Sequence, residues 1–132
     1  MAFFFFFFPF LPRNLHDRII FPDPPTMPYI EGYTEGETVK RGQQLDLTCR
    51  SRGGNPPPQI FWYKNSERIS SPYRNEGHFS ENVLSITAKA QDNNARYRCE
   101  VFNIMSVEPL KVHVDLTVLC KYNTSLGSIF IS

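Results

Sequence analysis

The chain has 132 residues, 41% of them hydrophobic, enough for a single core and one domain of ordinary size with tails. Its 14 basic and 13 acidic side chains nearly cancel, so no field of one sign attracts a nucleic acid backbone or an anionic membrane surface. Eleven prolines and seven glycines, set between short runs of Val, Ile, Leu, Thr and Tyr, favour strands joined by turns over helices.

The first residues read MAFFFFFFPFL, an apolar run well short of the ~20 residues that cross a bilayer. The run has the apolar length of a signal peptide without the basic start or the small-x-small cleavage site. Codons offer a simpler origin: Phe (TTT, TTC), Pro (CCN) and Leu (CTN) together translate a pyrimidine tract, the kind that lies just upstream of a splice acceptor. At the other end Cys120-Lys121-Tyr122 can be written TGT AAG TAT, which contains the splice-donor sequence GTAAGTAT. Residues 1–22, of low complexity, and residues 120–132 are therefore expected to be translated intron around one domain at 23–119. On that reading Cys120 has no function. The glycosylation candidate Asn123, in the sequon Asn123-Thr124-Ser125, falls in the same tail.

Asp23-Pro24-Pro25 and Pro28 read as a linker into the domain. Leu45, Leu47 and Cys49 then alternate with Asp46, Thr48 and Arg50, as a half-buried strand requires. The next strand turns Ile60 and Trp62 inward, leaving Phe61 and Tyr63 outside, and Leu84, Ile86 and Ala88 make a third inward set. Tyr97, Cys99 and Val101 make a fourth, opposite Arg96, Arg98, Glu100 and Phe102. Leu110, Val112, Val114, Leu116 and Val118 are expected to form one long final strand with Lys111, His113, Asp115 and Thr117 on its outer side. Residues 52–58, 65–67 and 91–94 supply the turns.

Of the three cysteines, Cys49 and Cys99 are the pair that a β-sandwich can bring together across its sheets. Closing a loop of that size stabilises a fold by roughly 4 kcal/mol in the chain-entropy account, and the bond persists in an oxidising compartment. Cys49, Trp62, Tyr97 and Cys99 on alternating strands are the core constellation of an immunoglobulin sandwich: two antiparallel sheets, an inter-sheet disulfide against a buried indole, and a tyrosine whose hydroxyl ties down a corner. The fold class is accordingly all-β, an immunoglobulin-like sandwich.

PYIEGYTEGE at 28–37, CRSRGGNPPPQIFWYKN at 49–65, SENV at 80–83 and DNNARYRCE at 92–100 carry a closer likeness. From about Pro24 to Leu119 the chain resembles one C2-type immunoglobulin domain of the nephrin group of cell-adhesion receptors, the group that includes sticks-and-stones and hibris. The resemblance implies a fragment of a longer single-pass receptor on the cell surface, binding other immunoglobulin-superfamily receptors homophilically or heterophilically. One departure is that many such domains place Asp six residues before the second cysteine, where this chain has Asn93 beside Asp92; the usual corner salt bridge to an arginine is not expected.

The candidate contact residues are Phe61, Tyr63, Arg96, Arg98, Phe102, Lys111 and His113, gathered on one outer surface. Interfaces enrich aromatic and arginine side chains, which bury large areas at little rotamer cost. The competing account is that each arginine covers a neighbouring ring with no partner involved. The loop at 52–58 reads mainly as backbone geometry, glycines supplying unusual angles and prolines stiffness. No GxSxG, phosphate-cradling glycine loop or HExxH is present, the cysteines lack zinc spacing, and His16, His78 and His113 are dispersed; no catalysis, metal or other cofactor is expected. Two other readings are a spacer domain in a multi-domain receptor and an intracellular domain of muscle type. For the tails, spliced transcript reads should stop at both boundaries; continuous coverage through them would end the intron reading.

Overall fold

The computed structural model describes residues 21–124 and 127–131, with side chains through Cys120. One sheet is built on β4 (Gln44–Asn55), which pairs antiparallel with β8 (Phe79–Thr87), and with β1 (Asp23–Pro25) and β2 (Tyr29–Glu31) along its other edge. β7 (Tyr73–Asn75) closes the far side of β8. The second sheet runs β10 (Leu110–Asp115), β9 (Arg96–Phe102), β5 (Gln59–Lys64), β6 (Glu67–Ile69), all antiparallel. A third ladder places β3 (Thr38–Lys40) parallel to β11 (Thr117–Thr124), with β12 (Gly127–Ile131) antiparallel beyond it.

The alternations place their apolar sides between the sheets. Leu47, Cys49, Ile60, Trp62, Cys99, Val101, Leu116 and Val118 have no exposed surface, and Tyr97 is also buried. The Cys49–Cys99 disulfide joins β4 to β9 across the core. Directly beside it, the Trp62 indole N–H donates to the Asn82 carbonyl of the opposite sheet at 2.9 Å. The Asn82 side chain is buried too. Its Nδ2 donates to the Ile60 and Ser71 carbonyls, each at 2.9 Å, and its Oδ1 accepts from the Ser71 hydroxyl at 2.6 Å. A polar residue at a core position is tolerable only when all its groups are satisfied, and here each one also ties one sheet to the other or to the β6–β7 connection.

Four expectations are corrected. Asp23-Pro24-Pro25 is not a free linker but the edge strand β1, in register with Asn55 and Gly53; an edge position tolerates proline because one side of the strand needs no N–H. That pairing draws β4 on through Asn55, so the turn starts at Pro56 rather than Arg52. Gly53 and Gly54 adopt φ of 72° and 92°, and a Cβ on Gly54 would come within 3.3 Å of the Pro25 Cα. Third, the final strand breaks at Leu116. β9 ends at Arg96, opposite Asp115, so β10 has nothing further to pair with. Leu116 exchanges bonds with Asn94 N–H (2.7 Å) and Ala95 O (2.9 Å), and the chain crosses to β3 without losing its inward alternation. β11 continues to Thr124, with no strand end at the expected 119–120 boundary, and Cys120 is a buried free thiol. The Asn123 side chain lies outside the described residues, as do residues 1–20.

The fourth correction concerns the corner before β9. Among the described residues the Tyr97 hydroxyl makes no backbone bond; it faces the Lys64 ammonium, and burial pushes its pKa up. The corner is held by buried Asp92, one of whose oxygens accepts the Lys89 N–H at 2.8 Å while the other pairs with Lys64. The adjacent Asn93 Oδ1 accepts the Val118 N–H at 2.8 Å. An acid and an amide on neighbouring positions therefore divide the tasks of one corner aspartate, and lysine replaces arginine. A tyrosine missed in the sequence, Tyr33, bonds at its hydroxyl to Glu37 O (2.7 Å) and the Thr117 N–H (3.2 Å), fastening the β2–β3 connection to β11.

Outside β4 and β8 lies an ionic lattice. The buried Glu81 carboxylate accepts from Arg50 Nε (3.1 Å) and Nη2 (2.8 Å) through one oxygen and from Arg74 through the other, while Arg50 stacks on Phe79 at 4.6 Å. The guanidiniums of Arg50 and Arg74 hold Glu81 below its ordinary 4.5, and Arg96 holds Asp115 below 3.8. A carboxylate depressed by folding adds stability that is complete above its unfolded pKa and lost as pH falls through the folded one. Denaturant midpoints measured from about pH 7 to about pH 3 should therefore stay level at first and decline below 4.5, with Glu81→Gln lower at the start and less pH-dependent. Asn82→Ala should cost about 2–4 kcal/mol in the same assay, because it takes the amide donor from the Ile60 and Ser71 carbonyls and leaves the Ser71 hydroxyl only its longer bond to the Val83 carbonyl at 3.2 Å.

Candidate protein-contact face

Register places all seven candidate residues on the outer side of the β10–β9–β5–β6 sheet. Tyr63, Arg98 and His113 lie in one row across β5, β9 and β10; Phe61, Glu100 and Lys111 make the next; Phe102 flanks it opposite Gln59, and Arg96 pairs with Asp115 at the other end. Phe61, Tyr63, Arg98 and Phe102 are half-buried, while Arg96, Lys111 and His113 are exposed.

The rings are engaged locally. Phe61 meets Phe102 at 5.7 Å and Tyr73 edge-on at 5.9 Å between ring centres. Arg68 lies 3.6 Å over the Phe61 ring and Arg98 4.6 Å over Tyr63, close enough for attraction to the π-face. Arg98 Nε also donates to Glu100 at 2.7 Å. Arg96 covers no ring: it forms a bidentate pair with Asp115 at 2.8 and 3.0 Å. Arg98 thus covers a neighbouring ring, and Arg96 does not.

Lys111 and His113 make no ion pair among the described residues. Arg68, Arg96, Arg98 and Lys111 outnumber Glu100 and Asp115, so the face is basic although the chain is nearly neutral. Arg68 and Tyr73 belong to this surface and were not picked out from sequence. Arg68 reaches it because Asn65, at φ 56°, turns β5 tightly into β6 and sets Tyr63 opposite Arg68. Tyr73 comes from the other sheet. Along the β6–β7 connection Phe61, Arg68, Ile69, Ser70, Ser71, Pro72 and Tyr73 line a shallow groove. Chemically the surface offers flat aromatic area and fixed guanidiniums, with no nucleophile and base assembled on it among the described residues.

The likeness to known proteins agrees with this architecture. A family model described as "Immunoglobulin domain" matches residues 27–103. Nephrin of Mus musculus is 34% identical over 103 residues, which are 76% of this chain and 8% of nephrin; nephrin of Homo sapiens gives the same identity and shares. The chain therefore spans about 8% of the length of these relatives. Among solved structures, Rst D1-D2 superposes with a TM-score of 0.64 at 19% identity, covering 72% of this chain and 49% of that one. Dpr2 Ig1-Ig2 in complex with DIP-Theta Ig1-Ig3 gives 0.59 at 23%, covering 74% and 33%. These two likenesses concern the fold alone. With its family model, its inter-sheet disulfide and its buried tryptophan in agreement, the chain belongs to the immunoglobulin-domain family, as a domain of nephrin type.

Proposed function

We propose that the domain is an extracellular module of a nephrin-type cell-adhesion receptor, recognising another immunoglobulin-superfamily receptor on a neighbouring cell through the outer side of the β10–β9–β5–β6 sheet. The observation that carries the reading is the contrast between the two outer faces. On β4 and β8 the Arg50, Glu81 and Arg74 charges are consumed among themselves and Asp46 accepts from Ser85, with Arg52 left exposed. The other face holds four half-buried aromatics, Phe61, Tyr63, Tyr73 and Phe102, together with exposed Lys111 and His113, which make no ion pair among the described residues, the mixture that contact surfaces enrich. Its basic excess suits an acidic partner surface, which would speed encounter and fix register. The disulfide supports an oxidising compartment, and on this reading attachment to the membrane belongs to the parent chain. Among the described residues no helix is long and apolar enough to cross a bilayer.

A specific observation favours a second reading, the spacer. Arg68 and Arg98 already cover Phe61 and Tyr63, so part of the aromatic surface has its partner within the domain. Lys111→Glu with His113→Glu separates the two, because both side chains are exposed and their loss leaves the core intact. If the face binds, cells displaying the receptor should aggregate at least about tenfold less, as for two desolvated charge contacts, with unchanged thermal unfolding. Undiminished aggregation by this variant, and by a receptor in which an unrelated domain of equal length replaces this one, would establish the spacer instead.

A further inference from the structure

At one end of the sandwich the loop of residues 103–109 joins β9 to β10. In it Ile104 is 82% exposed, Met105 43% and Val107 103%. The loop is held, not loose. Buried Asn103 donates through Nδ2 to Asp23 O at 2.8 Å and Pro56 O at 2.9 Å, and its Oδ1 accepts the Met105 N–H at 2.9 Å. The Asn103 N–H donates to the Ser106 hydroxyl, and the Ser106 N–H closes on Asn103 O, both at 3.0 Å. A single amide thus welds this loop, the start of β1 and the β4–β5 turn into one end surface. Apolar side chains presented on a fixed turn give up little further freedom when something covers them, whereas leaving them in water carries a standing hydrophobic cost.

The path of the chain says what covers them. Because Asp23 O is bonded to Asn103, the polypeptide that precedes Asp23 leaves the domain beside residues 104–107. Pro24 and Pro25 follow inside a paired strand, with φ locked by their rings, so this junction has no slack on the domain side. A body tethered there faces the tip at a high effective concentration that no separate molecule matches. The relatives at 34% identity are long chains of which this domain spans 8%, leaving ample room for such a body.

We propose that Ile104, Met105 and Val107 are the seat of an inter-domain joint, covered in the parent receptor by the immunoglobulin-like domain directly N-terminal to Asp23. This goes beyond the adhesion reading and rests on the part of it that makes the domain one module of a longer receptor, with residues 1–22 as translated intron; it does not rest on the contact face, with which the joint shares no residue. The test uses the complete parent ectodomain. With Val107→p-benzoylphenylalanine, illumination should give an intramolecular cross-link to the preceding domain. Spin labels placed one in each domain should report a narrow distance distribution that broadens at least about twofold in Ile104→Ser with Val107→Ser, as a lost contact frees the tether. The same double variant in the 132-residue chain should melt with the unsubstituted chain, because these side chains touch no core. A cross-link to a second molecule, no cross-link, or an unchanged distance width would each overturn the joint.

Discussion

The Trp62 indole, enclosed between two sheets, has its one polar hydrogen bonded to the carbonyl of Asn82 on the opposite sheet. The rest of the domain depends on this contact. It sets the depth at which the sheets meet, and the Cys49–Cys99 bridge then joins the same two layers at the next position along, since Cys49 pairs with Asn82 and Trp62 with Cys99. The hydrophobic area around the indole supplies most of the attraction, but area has no direction. Asn82, bonded to Ile60, Ser71 and the indole level at once, gives that attraction a single register. Once β5 and β8 are fixed in this way, Phe61 and Glu81 must point to opposite outer faces. The separation of an aromatic surface from an ionic one follows from a choice made in the core.

Most of the layering was legible because strand side chains alternate strictly, so that Leu47, Cys49, Ile60, Trp62, Tyr97, Cys99 and Val101 announce their side. The misreadings share a cause. Alternation reports which way a residue faces and says nothing about what lies opposite it. β1 was hidden because prolines signal a linker unless a neighbouring edge needs only carbonyls. The break at Leu116 was hidden because β10 and β11 keep one uninterrupted alternation while changing partners. Asn82 and Glu81 were passed over as polar positions, although their burial rests on groups remote in sequence: Ser71 and Ile60 for one, Arg50 and Arg74 for the other.

The candidate face was legible in membership but not in detail. Register brought its seven residues together as the pattern required. Pairing within the face depends on lengths and turns that alternation does not carry. Arg96 reaches Asp115 because β9 and β10 end together, Arg98 bends back along its own strand to Glu100, and Arg68 arrives over Phe61 only through the tight turn at Asn65. The corner at Asp92 and Asn93 illustrates the same point in reverse: a departure from the family pattern that looked like a lost bond is two bonds shared between adjacent side chains.

The parallel pairing of β3 with β11 has a mechanical consequence. Tension carried through a domain in a longer chain pulls on its two termini, and β3 lies toward one terminus while β11 runs toward the other. Because the two strands point the same way, such tension slides them past each other lengthwise, and the ladder from Thr38 to Lys40 shares the load among its bonds simultaneously instead of surrendering them one by one. Tyr33, bolted to Thr117 beside that ladder, adds a cross-pin to the same seam.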